Sequence, residues 1–143
     1  MAISFPFQEI PSQLFGMLYR PVATVNFQHK TTKLWIPVRM IIDTGADCTI
    51  LPKSFARSLG INLAKDCARY HASGIGEREN VFLYDDQIVR LGKYVRKIPI
   101  SFLDRDEGPA LLGRQAFFET FRVLFENHAT TFESPRARRR AAH

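Results

Sequence analysis

Apolar positions in this chain recur in short runs separated by glycine, proline and paired polar residues. "VATVNFQH" (22–29) carries valine and threonine at strand density. "KLWIPVRMII" (33–42) predicts a second strand, with Pro37 marking an edge position or a bulge. The short polar link "KTT" between them predicts a hairpin. "KSFARSL" (53–59) predicts a short helix closed by Gly60. Residues 69–75 and 78–84 predict two strands around Gly76, followed by a turn at Asp85-Asp86. Residues 87–91 and 94–102 alternate loosely about Gly92, and "DRDEGP" (104–109) reads as a polar loop. Ala110–Leu112 is a short buried run, and 114–119 suggests one or two helical turns. Strands are expected at 120–125 and 128–132 across a turn at Asn127, with Phe121, Val123 and Phe125 on one face. Residues 1–18, with Pro6, Pro11 and Gly16, read as an irregular lead-in. Many short strands with glycine-rich turns and little helix imply an all-β fold, a small and mostly antiparallel barrel or sandwich.

Composition narrows the class. A chain of 143 residues with 12 phenylalanines builds one real core and is not disordered. No apolar run approaches the roughly 20 residues of a membrane span. The first residues lack the basic segment and long apolar run of a secretory signal. Cys48 and Cys67 are too few for a disulfide framework, which points to a reducing, cytoplasmic setting. With His29, His71, His128 and His143 they show no metal-ligand spacing, so no metal or other cofactor is expected. The net charge of +6 invites a nucleic-acid reading, but Arg136, Arg138, Arg139 and Arg140 crowd the end of the chain. A basic tail of this kind is a solvated end, with at most weak contact to RNA, acidic lipid or an acidic partner.

The chemistry concentrates in "MIIDTGADCTILP" (40–52). Asp43 follows an apolar strand end, where a carboxylate must be hydrogen-bonded, paired or shifted in pKa. Thr44 places a hydroxyl beside it, and Gly45 and Ala46 permit close approach of backbone or ligand. Taken alone, the segment reads as a strand ending in an Asx-type turn with no chemistry, since a three-residue motif is weak evidence for a catalytic loop. A second segment, "ALLGR" (110–114), sets Gly113 after Leu111 and Leu112 and before Arg114.

The two segments together resemble the retropepsin-like, or retroviral-type, aspartic proteases. "IIDTGADCTIL" is similar to their catalytic segment, and "ALLGR" to the apolar pair and glycine that lead into their C-terminal helix. The resemblance spans residues 20–133, in a cellular or bacterial single-domain member. It leaves 1–19 as an N-terminal extension and 134–143 as a basic tail. It implies a small closed β-barrel with one short C-terminal helix, forming a homodimer. Asp43 would be the catalytic aspartate. Thr44 would bond across to the other copy, and Gly45 would line the cleft. Asp47 would contact the substrate backbone and pair with Arg114. Ala46 and Cys48 would lie along the cleft. Cys48 has no histidine partner at a fixed spacing, so it reads as a structural thiol and not a nucleophile.

Aspartic protease chemistry needs two carboxylates around one water. Asp47, Asp66, Asp85, Asp86, Asp104 and Asp106 all lack a following Thr/Ser-Gly, so the second aspartate is expected from a second copy of the chain. "RYHASGIGERENVF" (69–82) is the flap candidate, with Gly74 and Gly76 bracketing an apolar Ile75. Leu51, Ile75 and Leu111 are candidates for apolar subsites. The substrate is expected to be a peptide lying extended in the cleft. Viral members build much of their dimer interface from interleaved termini, and this longer chain is expected to differ there. The rival reading is a retropepsin-like dimerisation or peptide-binding module with little activity.

Overall fold

A computed structural model of the chain describes residues 2–73 and 78–135. The body is one mixed sheet. Its strands are β4 (Val22–Gln28), β5 (Trp35–Ile42), β6 (Thr49–Pro52), β7 (Ala68–Ser73), β8 (Arg78–Leu91), β9 (Tyr94–Leu103) and β10 (Leu111–Leu112). The sheet order is β4-β5-β10-β6-β9-β8-β7. It curls until β4 meets β8 at Asn26↔Arg90 and Phe27↔Val89, so six of the strands nearly form a ring. Strand alternation fills the inside: Val25, Phe27, Val38, Met40, Leu51, Val89, Ile98, Ile100, Phe102 and Leu112 are buried. Pro37 pairs only with Asn26 of β4, and β10 reaches only Ile41 and Ile42 on the other side of β5, so the proline sits at a local edge as the sequence suggests.

A second, three-stranded sheet has the order β1-β12-β11, from β1 (Ala2–Pro6), β11 (Arg122–Glu126) and β12 (Ala129–Glu133). Phe117, Phe118, Phe121 and Phe132 tie this sheet to the body, with Phe117 and Phe121 ring centroids 5.2 Å apart and Phe118 stacked on Phe132. A separate hairpin joins β2 (Gln8–Ser12) to β3 (Gly16–Arg20).

Several local expectations change. The lead-in is strand and not irregular; Ile3 and Phe5 alternate with exposed residues, a period that Pro6, Pro11 and Gly16 obscure in the sequence. Asp85-Asp86 is not a turn. β8 runs through it with a bulge between Tyr84 and Gln87, and the buried Gln87 amide is satisfied by donating to the Gln28 and Ile88 carbonyls at 3.0 and 2.9 Å. Helix α1 (Ser54–Ser58) ends at Gly60 with φ +73, as expected, but a second short helix, α2 (Leu63–Asp66), follows under an Asn62 cap whose side chain accepts from the Ala64 and Lys65 N–H groups. The expected C-terminal helix contracts to a 3₁₀ turn at Phe118–Thr120. Ala116, at φ 58, breaks the helical run before it starts. Gly74, Ile75, Gly76 and the basic tail from Arg136 onward lie outside the described residues. Among the described residues, no helix is long and apolar enough to cross a membrane, and no three His, Cys, Asp or Glu side chains gather as metal ligands would.

Candidate active site

β5 carries the apolar side chains of Met40 and Ile42 into the core and delivers Asp43 at its end. β10 lies between β5, to which it runs parallel, and β6, to which it runs antiparallel. The two sequence segments, far apart in the chain, are therefore neighbours in space. The Asp43 N–H donates to the Leu112 carbonyl at 3.0 Å. Beyond it the backbone turns back, with the Ala46 N–H donating to the Asp43 carbonyl at 3.2 Å. The Gly45 N–H donates to Asp43 Oδ1 at 3.0 Å, which fixes one carboxylate oxygen. Asp43 is half-buried, and Thr44 and Gly45 beside it are exposed.

From the other side, the Arg114 N–H donates to the Ala46 carbonyl at 3.0 Å and the Gln115 N–H to the Asp47 carbonyl at 2.8 Å. The Arg114 guanidinium makes an ion pair with Asp47 Oδ1. Both partners are largely exposed, at 51% and 90% of their side-chain area, so the pair aligns two loops without adding much stability. Asp47, Arg114, Gln115, Phe118 and Glu119 line an open depression beside the loop.

Beneath the loop the packing is tight. The Gly113 N–H donates to the fully buried Thr49 hydroxyl at 3.1 Å. A side chain at Gly113 would overlap the Cys48 carbonyl and come within 2.8 Å of the Thr49 nitrogen, so no larger residue fits there. Sequence reading missed Thr49. Its signal is faint: a hydroxyl in an otherwise apolar strand, which needs a partner once buried.

Cys48 is half-buried. Its Sγ receives a hydrogen bond from the Ser101 hydroxyl at 3.3 Å and lies 3.6 Å from the Pro99 carbonyl. Burial pushes its thiol up from the ordinary value, the Ser101 hydrogen bond opposing in part. A raised thiol pKa disfavours the nucleophilic thiolate. Leu51 is fully buried in the core and so does not line an apolar subsite; Leu111, half-buried at the site's edge, remains a candidate. β7 and β8 pair antiparallel from Ala68↔Leu83 to Ser73↔Arg78, so the hairpin that the flap reading requires leads directly into residues 74–77.

This site can be set against known proteins. The family described as "gag-polyprotein putative aspartyl protease" matches residues 36–119, more than half of the chain, and the match takes in both Asp43 and Arg114. The chain belongs to that family. Among solved structures it is similar to a retropepsin-like aspartic protease from Rickettsia conorii, at 18% identity, with 92% of this chain and 91% of that one covered and a TM-score of 0.60. At that identity the likeness concerns the fold. No curated protein matches the chain. Membership of this aspartyl protease family agrees with the retropepsin-like resemblance of "IIDTGADCTIL" and "ALLGR".

Proposed function

We propose that the chain is an aspartic endopeptidase whose site is completed by a second copy of itself. The observation that carries this is the setting of Asp43: a half-buried carboxylate at a strand end, with one oxygen held by the Gly45 N–H, in a chain without another Asp-Thr/Ser-Gly. A twofold axis beside the exposed Thr44 and Gly45 brings two Asp43 carboxylates around one water. Two like charges so close share a proton and titrate as a coupled pair. The ionised partner takes a proton from the water as it attacks the scissile carbonyl. The protonated partner donates to the carbonyl oxygen and stabilises the oxyanion. Thr44 hydrogen-bonds across the axis. Asp47, oriented by Arg114, and the backbone at Gly45 and Ala46 grip a peptide lying extended in the cleft. The β7–β8 hairpin serves as the flap. The family membership supports the chemistry, and the two-cysteine usage supports a cytoplasmic setting.

The test is a cleavage profile on a diverse peptide library between about pH 4 and 7, for wild type and Asp43→Asn. General acid–base groups contribute about 10²–10⁴-fold, so the variant should lose at least about 10²-fold of the cleavage while keeping fold and dimer. Equal, negligible cleavage by both proteins would instead favour a dimerisation or peptide-binding module.

A further inference from the structure

Between β1 and β4 the chain leaves the body as a hairpin, β2 against β3, that pairs with no other strand among the described residues. Its register runs from Gln8↔Arg20 at the root to Ser12↔Gly16 at the tip. The tip has a defined backbone. The Ser12 hydroxyl accepts from the Leu14 and Phe15 N–H groups at 3.3 and 3.2 Å, and Gly16 turns the chain at φ +76. The side chains displayed there are apolar and in water: Leu14 is 80% exposed and Phe15 71%. Met17 and Tyr19 continue the exposed apolar surface along β3. Tyr19 stacks on His128 with ring centroids 4.0 Å apart, which fastens the root of the hairpin to the turn between β11 and β12.

Four of the eight large apolar residues exposed among the described residues lie on this one hairpin. A concentrated apolar patch in water marks a surface that binds something. Charge narrows the occupant. Residues 8–20 carry Glu9 and Arg20 and no other charge, so the hairpin has no cationic surplus for a nucleic-acid backbone or an anionic bilayer. A second copy is also disfavoured. Across a twofold axis an apolar patch must meet either itself or a second patch. Phe125 adjoins the hairpin root through Phe7 and His128, and Leu34, Tyr70 and Val95 stand singly on the β4–β5 turn, β7 and β9, so no second patch receives the tip. The remaining occupant is another polypeptide with apolar side chains.

Position identifies that polypeptide. The Ile42 N–H, one residue before Asp43, donates at 3.0 Å to the carbonyl of Pro21, the residue that follows β3. The hairpin is therefore rooted beside the candidate catalytic carboxylate. Phe15 precedes Pro21 by six positions, so the tip stands within about 20 Å of the strand end that carries Asp43. An extended peptide covers that distance in about six residues. We propose that the β2–β3 hairpin is a substrate-holding arm, whose Leu14, Phe15 and Met17 bind an apolar stretch of a protein substrate outside the cleft. This rests on the two-copy aspartic endopeptidase reading and adds to it a substrate class: chains with an apolar, extended segment about six residues from the scissile bond. The twofold axis sets one arm on each side of that bond. A defined tip backbone lowers the ordering cost of such binding.

The test uses labelled peptides and Asp43→Asn, which reads binding apart from cleavage. The short library sequence that the protein cleaves best or, failing cleavage, binds best is placed between flanks of about ten residues, long enough to reach the tip. In one peptide leucine alternates with serine in the flanks; in the other the flanks are glycine and serine. Asp43→Asn should bind the leucine-flanked peptide about tenfold more tightly in fluorescence anisotropy, and wild type should cleave it with KM lower by the same factor and kcat unchanged. With L14S/F15S added, the two peptides should bind and be cleaved alike, while cleavage of the unflanked sequence stays at the wild-type value. Both positions are exposed, so the double substitution leaves the fold intact. Equal binding of the two peptides by Asp43→Asn, or a preference that survives L14S/F15S, would overturn the arm. So would a weaker dimer in equilibrium sedimentation of L14S/F15S with a matching fall in cleavage of the unflanked sequence, since the hairpin would then clasp a second copy. A wild type that shows the binding preference and cleaves nothing would overturn the protease reading and leave the arm standing, which is a separate failure.

Discussion

Gly45 and Gly113 are the glycines of the two signature segments, and they do opposite work. A side chain added at Gly113 would meet the backbone of Cys48 and Thr49. A side chain added at Gly45 would meet only Asp43 Oδ1, at 3.3 Å. The obstacle at Gly113 is the main chain leading into β6, which cannot move without disturbing the pairing of β10 with β6. The obstacle at Gly45 is the far end of a carboxylate that can shift by a few tenths of an ångström. "LLGR" therefore holds the architecture, whereas "DTGAD" carries the proposed reacting group, and its tolerance would be set by chemistry more than by packing.

The largest effect expected from this contrast is at Gly113. Gly113→Ala forces a methyl group into occupied space and strains the buried Thr49 hydrogen bond. A loss of about 3 kcal/mol is expected, at the upper end of what overpacking costs. Urea unfolding would measure it. A wild-type midpoint would mean that the contact of Gly113 with Cys48 and Thr49 is looser than the geometry requires, and that the two glycines do not differ in kind.

The legibility of the molecule divides along the same line. Asp43, Thr44, Gly45 and Arg114 could be picked out because their residue types and order are distinctive, and the structure sets them side by side. The hairpin of β4 and β5 and the helix before Gly60 were legible from local patterning. What holds the site together was not. The bond from Gly113 to Thr49 spans 64 positions, and nothing near either residue announces it. The pairing of β1 with β12 likewise joins the two ends of the chain, while Pro6 and Pro11 make the N-terminal strands look like loop. The helix expected at 114–119 failed for a different reason. Its composition allows a helix, but the chain turns after β10, and Ala116 takes a left-handed conformation there, its N–H held by Glu119 Oε1 at 2.9 Å. Tertiary position overrode local propensity there.

Gly45→Ala sharpens the comparison from the other side. Folding stability should change by less than about 1 kcal/mol, because the new methyl group meets a side chain at an exposed turn. Cleavage should fall by about tenfold, since displacing a reacting group by even a fraction of an ångström weakens the alignment that proximity catalysis depends on. The informative measurement is the pair: urea unfolding and peptide cleavage on the same preparation. A large stability loss with intact cleavage per folded dimer would reverse the assignment of roles.

The smallest effect is expected at Arg114→Ala. The ion pair with Asp47 is the most visible link between the two segments, yet both side chains are largely in water. Exposed pairs contribute about 0–1 kcal/mol, because solvent screens the attraction and two side chains must be held still. The backbone bonds from Arg114 to Ala46 and from Gln115 to Asp47 survive the substitution and keep the loops in register. Urea unfolding of Arg114→Ala should therefore shift by about 0.5 kcal/mol, and less in high salt. A loss of several kcal/mol would mean that the pair is shielded from water in the folded protein, as it would be if a second copy covered it. Repeating the measurement across protein concentration separates these cases, since a contribution that arises only in the dimer must grow as the dimer forms.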